Sequence, residues 1–174
     1  MKHFISLIAT LSFSIAGSLA HAQTYEHGQA NMGIALEGNA LVIAFSSPLF
    51  NLVGFENMPS TDWERQTMRQ MRSTLNNASA WFIPNPEAGC LIEAVDHQTS
   101  YIEKAGEPQK AVLEARIELA CSNPGELYRI EIPIFQQFHR IEKVQVFLEG
   151  AGQQIETEIT PYNYVVQWYS NLPQ

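Results

Sequence analysis

Two pairs of adjacent acidic and histidine residues, Glu26-His27 and Asp96-His97, are the side chains of this chain best suited to bind a metal ion. Imidazole nitrogen and carboxylate oxygen are both zinc ligands, and a tetrahedral zinc site needs three or four such donors. Neighbouring acidic and histidine residues also occur by chance, and the alternative interpretation is that these are ordinary polar groups of the surface. The four residues are therefore candidate metal ligands, provided that the fold brings them together.

Motifs that would indicate an enzyme are absent from the sequence. The two cysteines do not form a Cys-x-x-Cys redox motif, and the chain has no Gly-x-Ser-x-Gly nucleophile motif. It also lacks a glycine-rich phosphate-binding loop and a His-Glu-x-x-His zinc-protease motif. Catalytic groups can assemble from distant positions, but without any such motif we expect a protein that is not an enzyme.

The first 22 residues have the three parts of a secretory signal peptide. Met1-Lys2-His3 is a short basic start, residues 4–18 form an apolar segment, and Ala20-His21-Ala22 has the small residues of a cleavage site. The apolar segment is too short and too rich in hydroxyl groups for a membrane anchor, which needs about 20 mainly apolar residues. We therefore predict a signal peptide over 1–22 and a soluble, exported mature chain over 23–174, with no membrane insertion after cleavage.

Cys90 and Cys121 are the only cysteines of the chain. An exported protein meets an oxidising compartment, where thiols form disulfides. We therefore predict a Cys90–Cys121 disulfide rather than two buried free thiols. By the chain-entropy model, a disulfide that closes this loop stabilises the fold by about 3–4 kcal/mol.

The chain is acidic, with 18 Asp and Glu against 10 Lys and Arg and a formal net charge of −8. Nucleic-acid binding needs clustered Lys and Arg to neutralise phosphates, so we expect no nucleic-acid partner. A negative surface attracts cations, although an acidic composition often serves only solubility.

Alternating apolar residues predict β-strands along most of the chain. A hairpin is predicted around Glu37-Gly38-Asn39, and the clearest strand runs from 113 to 121. In the strand that begins at Cys90, we expect Ile92 and Ala94 to share the face of Cys90, and His97 to lie on the other face. Residues 98–110 are polar and carry Gly and Pro, which predicts a loop.

One amphipathic helix is predicted over about 61–75. Thr61 and Glu64 have the spacing of a capping box, and the apolar face of the helix carries Met68, Met71 and Leu75. Another face, either solvated or open to an anion or a partner, carries Arg65, Arg69 and Arg72. The patterns together predict an α+β fold: a single, mainly antiparallel β-sheet domain with one main helix (about 61–75) and one disulfide.

Several segments of the chain are distinctive when they are taken together. They are Ser47-Pro48-Leu49-Phe50-Asn51-Leu52-Val53-Gly54-Phe55-Glu56, Glu26-His27-Gly28-Gln29-Ala30 with the hairpin after it, Ala88-Gly89-Cys90, Cys121 and residues 135–146. With these segments the mature chain, 23–174, resembles the ZrgA-like family of periplasmic zinc-uptake auxiliaries over essentially its whole length. The first segment is the most specific. The resemblance implies a Gram-negative periplasm, a zinc-linked role and a partnership with components of an ABC-type zinc importer.

The chain departs from the family pattern at three places. Members begin with His-x-His-Gly, whereas here Tyr25 takes the position of the first histidine, and Asn57 stands where a histidine usually follows Gly-Phe-Glu. Members also carry a histidine-rich, acidic segment between the two cysteines, and this chain has only His97 there. A zinc trap built on many imidazoles is therefore absent.

Two hypotheses about function follow from the residues and the resemblance. The first is a periplasmic zinc-binding auxiliary protein that assists an ABC-type zinc uptake system, with zinc held by some of His27, His97, Glu26, Glu56 and Asp96. The alternative is a non-catalytic envelope interaction module on the same fold that has lost metal binding. Its candidate surfaces are the arginine face of the helix and the aromatic segment around Trp168 and Tyr169.

Overall fold

The computed structural model describes residues 25–107, 109–150 and 152–168. The predicted signal peptide lies outside these residues. Nine strands are found in the described part: β1 Gln29–Glu37, β2 Ala40–Pro48, β3 Ile83–Pro84, β4 Cys90–Ile102, β5 Lys110–Cys121, β6 Arg129–Glu131, β7 Lys143–Gly150, β8 Gln153–Ile159 and β9 Val165–Gln167. Two α-helices, α1 Leu49–Val53 and α2 Asp62–Asn76, and four short 3-10 helices complete it. None of the helices described here has the length and apolar character needed to cross a membrane.

The strands form two sheets. The larger has the order β4-β5-β2-β1-β7-β8, and the smaller has the order β3-β6-β9. All neighbouring pairs are antiparallel except β1 and β7, which run parallel. The prediction of a mostly β fold with one main helix is confirmed, but the sheet is mixed and a second sheet accompanies it. Hydrophobic alternation shows that a segment is a strand, but it does not show which distant strand lies beside it.

The predicted helix over about 61–75 is confirmed as α2. Its start is held by a capping box, in which the Thr61 side chain accepts from the Glu64 N–H and the Glu64 carboxylate accepts from the Thr61 N–H at 2.8 Å. This hydrogen bond, with further ones from the Asn57 side-chain amide and the Ser60 backbone N–H, lowers the pKa of Glu64 to about 2. The buried face of α2 carries Met68, Met71 and Leu75, and an adjacent, exposed face carries Arg65, Arg69 and Arg72.

The core lies on one face of the larger sheet, where alternate residues of β1, β2, β5 and β7 are buried. Its largest fully buried side chains are Trp81, Phe45 and Phe82, and Phe45 and Trp81 pack with ring centroids 5.8 Å apart. The Trp81 indole N–H donates to the carbonyl of Leu75 at 3.4 Å. This hydrogen bond links the C-terminal end of α2 to the buried Trp81 of the core.

The predicted disulfide is confirmed, because Cys90 and Cys121 are bonded and lie directly opposite each other on β4 and β5. The predicted loop over 98–110 is wrong in its first part, since β4 continues to Ile102. Strand β4 is one of the two edge strands of the sheet, so it tolerates polar residues that a central strand excludes.

The predicted faces of β4 are also wrong beyond Ile92. A β-bulge between Ile92 and Ala94 inserts one extra residue into β4. Because side chains alternate, one inserted residue exchanges the two faces for everything after it. His97 therefore lies opposite Ala115 on the face of the disulfide, and Ala94 lies opposite Glu118 on the other face.

Candidate metal site

His27 and Glu56 meet at the surface, although 29 residues separate them in the sequence. The distance from His27 Nε2 to Glu56 Oε1 is 2.8 Å, and the two side chains are 51% and 18% exposed. Because a carboxylate only accepts hydrogen bonds, Nε2 carries the hydrogen in this contact. The pair is accessible from solvent, so an ion could reach it without any rearrangement of the core.

Asn51 holds together the two segments that carry this pair. Its side chain is completely buried; Oδ1 accepts from the Gly28 N–H at 2.8 Å, and Nδ2 donates to the Gln29 carbonyl at 2.9 Å and to Ser47 Oγ at 3.1 Å. Gly28 and Gln29 directly follow His27, whereas Asn51 belongs to α1, which leads to Glu56. A buried amide with three partners fixes both segments, because leaving any of those groups unpaired is costly.

Two glycines allow the close packing around the pair. Gly28 has φ +82°, and a Cβ there would lie 3.0 Å from Glu142 Cδ. Gly54 ends α1 with φ +85°, and a Cβ there would lie 2.9 Å from Arg140 Nη2. A left-handed φ favours glycine at both positions, and a Cβ at either one would displace the end of the Glu142 or the Arg140 side chain. The chain can therefore turn sharply just after His27 and again just before Glu56.

The imidazole of His27 is stacked on an aromatic ring. The ring of His27 stacks on that of Phe50, with centroids 4.3 Å apart and an interplanar angle of 12°. The Arg140 guanidinium lies 6.0 Å from the centroid of the same Phe50 ring. Stacking restricts the orientation of the imidazole, so that Nε2 stays directed at Glu56.

Tyr25 is a third member of the site. Its hydroxyl donates a hydrogen bond to Glu56 Oε1, the same oxygen that contacts His27. Burial, together with the neighbouring Glu56 carboxylate, raises the pKa of the Tyr25 phenol above its ordinary value. The phenol therefore stays protonated and remains a donor. Lys110 Nζ lies 5.0 Å from the centroid of the Tyr25 ring, which places a positive charge beside the cluster.

The other predicted ligands lie elsewhere. Asp96 and His97 are on β4, which is separated from β1 by β5 and β2, or about 14 Å at the usual spacing between strands. They also face opposite sides of the sheet, with Asp96 opposite Arg116 and His97 opposite Ala115. One ion with bonds of about 2 Å cannot join them to His27. Glu26 is exposed.

Within the described ranges, no group of three or more His, Cys, Asp or Glu side chains is arranged to hold a metal ion. Of the five predicted ligands, the structure thus brings together His27 and Glu56. Reasoning from the sequence missed Tyr25 and Asn51. A polar Asn51 between apolar Phe50 and Leu52 was the available signal, since a buried polar residue must have partners. No local pattern marks Tyr25, because its contact with Glu56 spans 31 positions.

Comparison with known families identifies the class of protein. The model of the family described as "ZrgA family zinc uptake protein" matches residues 24–168, which include every described residue of the fold. The chain belongs to this family of zinc uptake proteins. No curated protein matches the chain.

Proposed function

We propose that the protein is a periplasmic auxiliary of zinc uptake, which binds one zinc ion between His27 and Glu56 and passes it to an ABC-type importer. The single observation that carries this proposal is the contact of 2.8 Å between an exposed imidazole and a carboxylate. Membership of a zinc uptake family supports zinc as the cargo. The negative formal charge of −8 favours the approach of cations.

The geometry of the pair is close to what zinc requires. Zn–N and Zn–O bonds of about 2.0–2.2 Å at a tetrahedral angle place the two donor atoms about 3.4 Å apart. The observed separation of Nε2 and Oε1 is 2.8 Å, so the pair needs to open by only about 0.6 Å. Zinc would replace the hydrogen on Nε2, and the neutral imidazole would then carry its one ring hydrogen on Nδ1.

Two protein donors leave two positions of a tetrahedral ion for other ligands. Water can fill these positions during transport, and donors of a receiving protein can replace the water during transfer. A storage site would instead enclose the ion with four protein ligands. The open coordination at His27 and Glu56 thus supports a protein that hands zinc on rather than one that retains it.

Calorimetric titration of the mature, disulfide-bonded chain with zinc tests this proposal. We expect saturable binding of one ion, weakened at least about tenfold by His27→Ala. His97→Ala is the matched control and should leave the affinity unchanged, because His97 lies on β4, far from the turn that carries His27. Absence of binding below about 100 µM, equivalent to about −5.5 kcal/mol, or an equal loss in the two variants, would contradict the proposal.

The alternative proposal is an envelope interaction module without metal. It is favoured by one observation: the described residues offer no group of three metal-binding side chains. Its surface would be the exposed arginine face of α2, because Trp168 is buried and Tyr169 lies outside the described residues. If a strain that carries His27→Ala and Glu56→Gln grows normally under zinc limitation, whereas one with the three arginines changed to Gln does not, this alternative gains support.

A further inference from the structure

Strand β4 is one of the two edges of the larger sheet, and it pairs only with β5 among the described strands. The direction of its backbone groups follows from a hydrogen bond on β5. The Cys121 N–H donates to the Asn39 carbonyl at 2.8 Å, on the side of β2. Backbone groups alternate in direction along a strand, so odd-numbered residues of β5 turn toward β2 and even-numbered ones toward β4.

Residues of β4 that lie opposite odd-numbered residues of β5 therefore turn their N–H and C=O groups outward. These residues are Val95, His97, Thr99 and Tyr101, opposite Ile117, Ala115, Leu113 and Ala111. Within the part of the chain that the structure describes, no hydrogen bond reaches these outward groups. A row of four donors and four acceptors thus lies open along the edge.

Proteins usually protect such an edge with lysine, proline, a β-bulge, a very short strand or a covering element. The β-bulge of β4 lies between Ile92 and Ala94, before the row of outward groups. Strand β4 has 13 residues and contains neither lysine nor proline. Asp96 is the only acidic residue in its regular part, from Ala94 to Ile102. Two apolar side chains at its ends, Leu91 and Ile102, are 74% and 49% exposed. The edge therefore has the properties of a surface that pairs with another strand.

We propose that β4 pairs antiparallel with β4 of a second copy of this chain, centred on Gln98. In this register Val95 lies opposite Tyr101 of the second copy, and His97 lies opposite Thr99. All the outward donors and acceptors of both edges are then used. Centring on His97 would leave the outward groups of Tyr101 without a counterpart, and centring on Thr99 would leave those of Val95 without one.

The side chains fit the same register. Directly opposite residues share a face of the sheet, so Val95 packs against Tyr101 on the core side and Ala94 against Ile102 on the outer side. Asp96 lies opposite Ser100, so no like charges face each other from Ala94 to Ile102. Just outside this range Glu93, the extra residue of the β-bulge, comes opposite Glu103 of the second copy. A register centred on Asp96 would place two carboxylates in contact. This self-complementarity favours a second copy over an unrelated extended peptide as the occupant.

Covalent capture tests the register. Gln98 lies opposite its own copy in a pair without hydrogen bonds, where Cα atoms are about 4.5 Å apart, a separation that a disulfide can bridge. We expect Gln98→Cys to give a cross-linked species of twice the monomer mass on non-reducing electrophoresis. The matched control, Asp96→Cys, is on the same face, but its two copies would be offset by four residues, or about 13 Å. Equal cross-linking of both variants would overturn the register.

Sedimentation equilibrium of the mature, disulfide-bonded chain tests the association itself. We expect a dimer whose fraction rises with protein concentration and with salt, because salt screens the repulsion between two acidic copies. Thr99→Pro removes an outward N–H but no bond to β5, so it should abolish the dimer with little change in thermal unfolding. A monomer at all concentrations, or a dimer that Thr99→Pro leaves intact, would overturn the proposal.

Discussion

Replacing the buried Asn51 by Ala should destabilise the fold and disturb the candidate zinc site together. The change removes three hydrogen bonds, to Gly28, Gln29 and Ser47. At about 1 kcal/mol each, plus the cost of leaving buried backbone groups unpaired, the expected loss is about 3–5 kcal/mol. This is a large fraction of the 5–15 kcal/mol that is typical of a folded domain.

Urea unfolding followed by tryptophan fluorescence, with the disulfide intact, measures this loss. The midpoint should fall by about 2 M, with an unchanged dependence of the free energy on urea. Asn76→Ala is the matched control: Asn76 is exposed at the end of α2, so its replacement should change the free energy of unfolding by less than about 0.5 kcal/mol. If Asn51→Ala lowers the free energy of unfolding by less than about 1 kcal/mol, Asn51 does not hold the two segments together.

Three further predictions concern α2, the metal site and the disulfide. The folded-state pKa of Glu64, about 2, is below its ordinary value of 4.5. The stabilising effect of the Glu64 carboxylate is therefore complete above about pH 5 and is lost as the pH falls toward 2. The unfolding temperatures of Glu64→Gln and the wild type should converge over this range, and a constant difference between them would contradict the capping role. Tyr25→His places an imidazole beside Glu56 Oε1 and should tighten zinc binding at least about tenfold, or about 1.4 kcal/mol; calorimetry that shows no gain, with Tyr25→Phe as the control, would contradict this geometry. Reducing the disulfide should lower the free energy of unfolding by about 3–4 kcal/mol, as urea unfolding with and without a reductant would show; a loss below about 1 kcal/mol would be inconsistent with the chain-entropy model.

Local features of the fold could be predicted from the sequence because their causes are local. Thr61 and Glu64 cap α2 from three positions apart, and the β1–β2 hairpin closes over the turn at Gly38. The parallel pairing of β1 with β7 and the separate β3-β6-β9 sheet join segments far apart in the chain. No local pattern encodes these pairings, since the alternation of apolar and polar residues in a strand is the same whichever strand lies next to that strand.

At the candidate site, too, the local features could be predicted from the sequence and the long-range contacts could not. The histidine and acidic residues could be recognised as metal ligands by their chemistry, but their grouping depended on the fold. Asp96 and His97 are adjacent in the sequence and therefore lie on opposite faces of the sheet, because successive side chains of a strand point to opposite faces. His27 and Glu56 meet because Asn51 joins the start of β1 to α1.

The most direct test of the central claim is nitrogen-15 NMR of the histidine side chains during a zinc titration of the mature protein. If zinc binds between His27 and Glu56, the Nε2 resonance of His27 should lose its attached proton and shift until one equivalent has been added. The resonances of His97 and His139 should stay unchanged, because these side chains lie on β4 and beside the Phe135 carbonyl. A saturable shift of His97 without one of His27, or no shift of any histidine, would contradict the account.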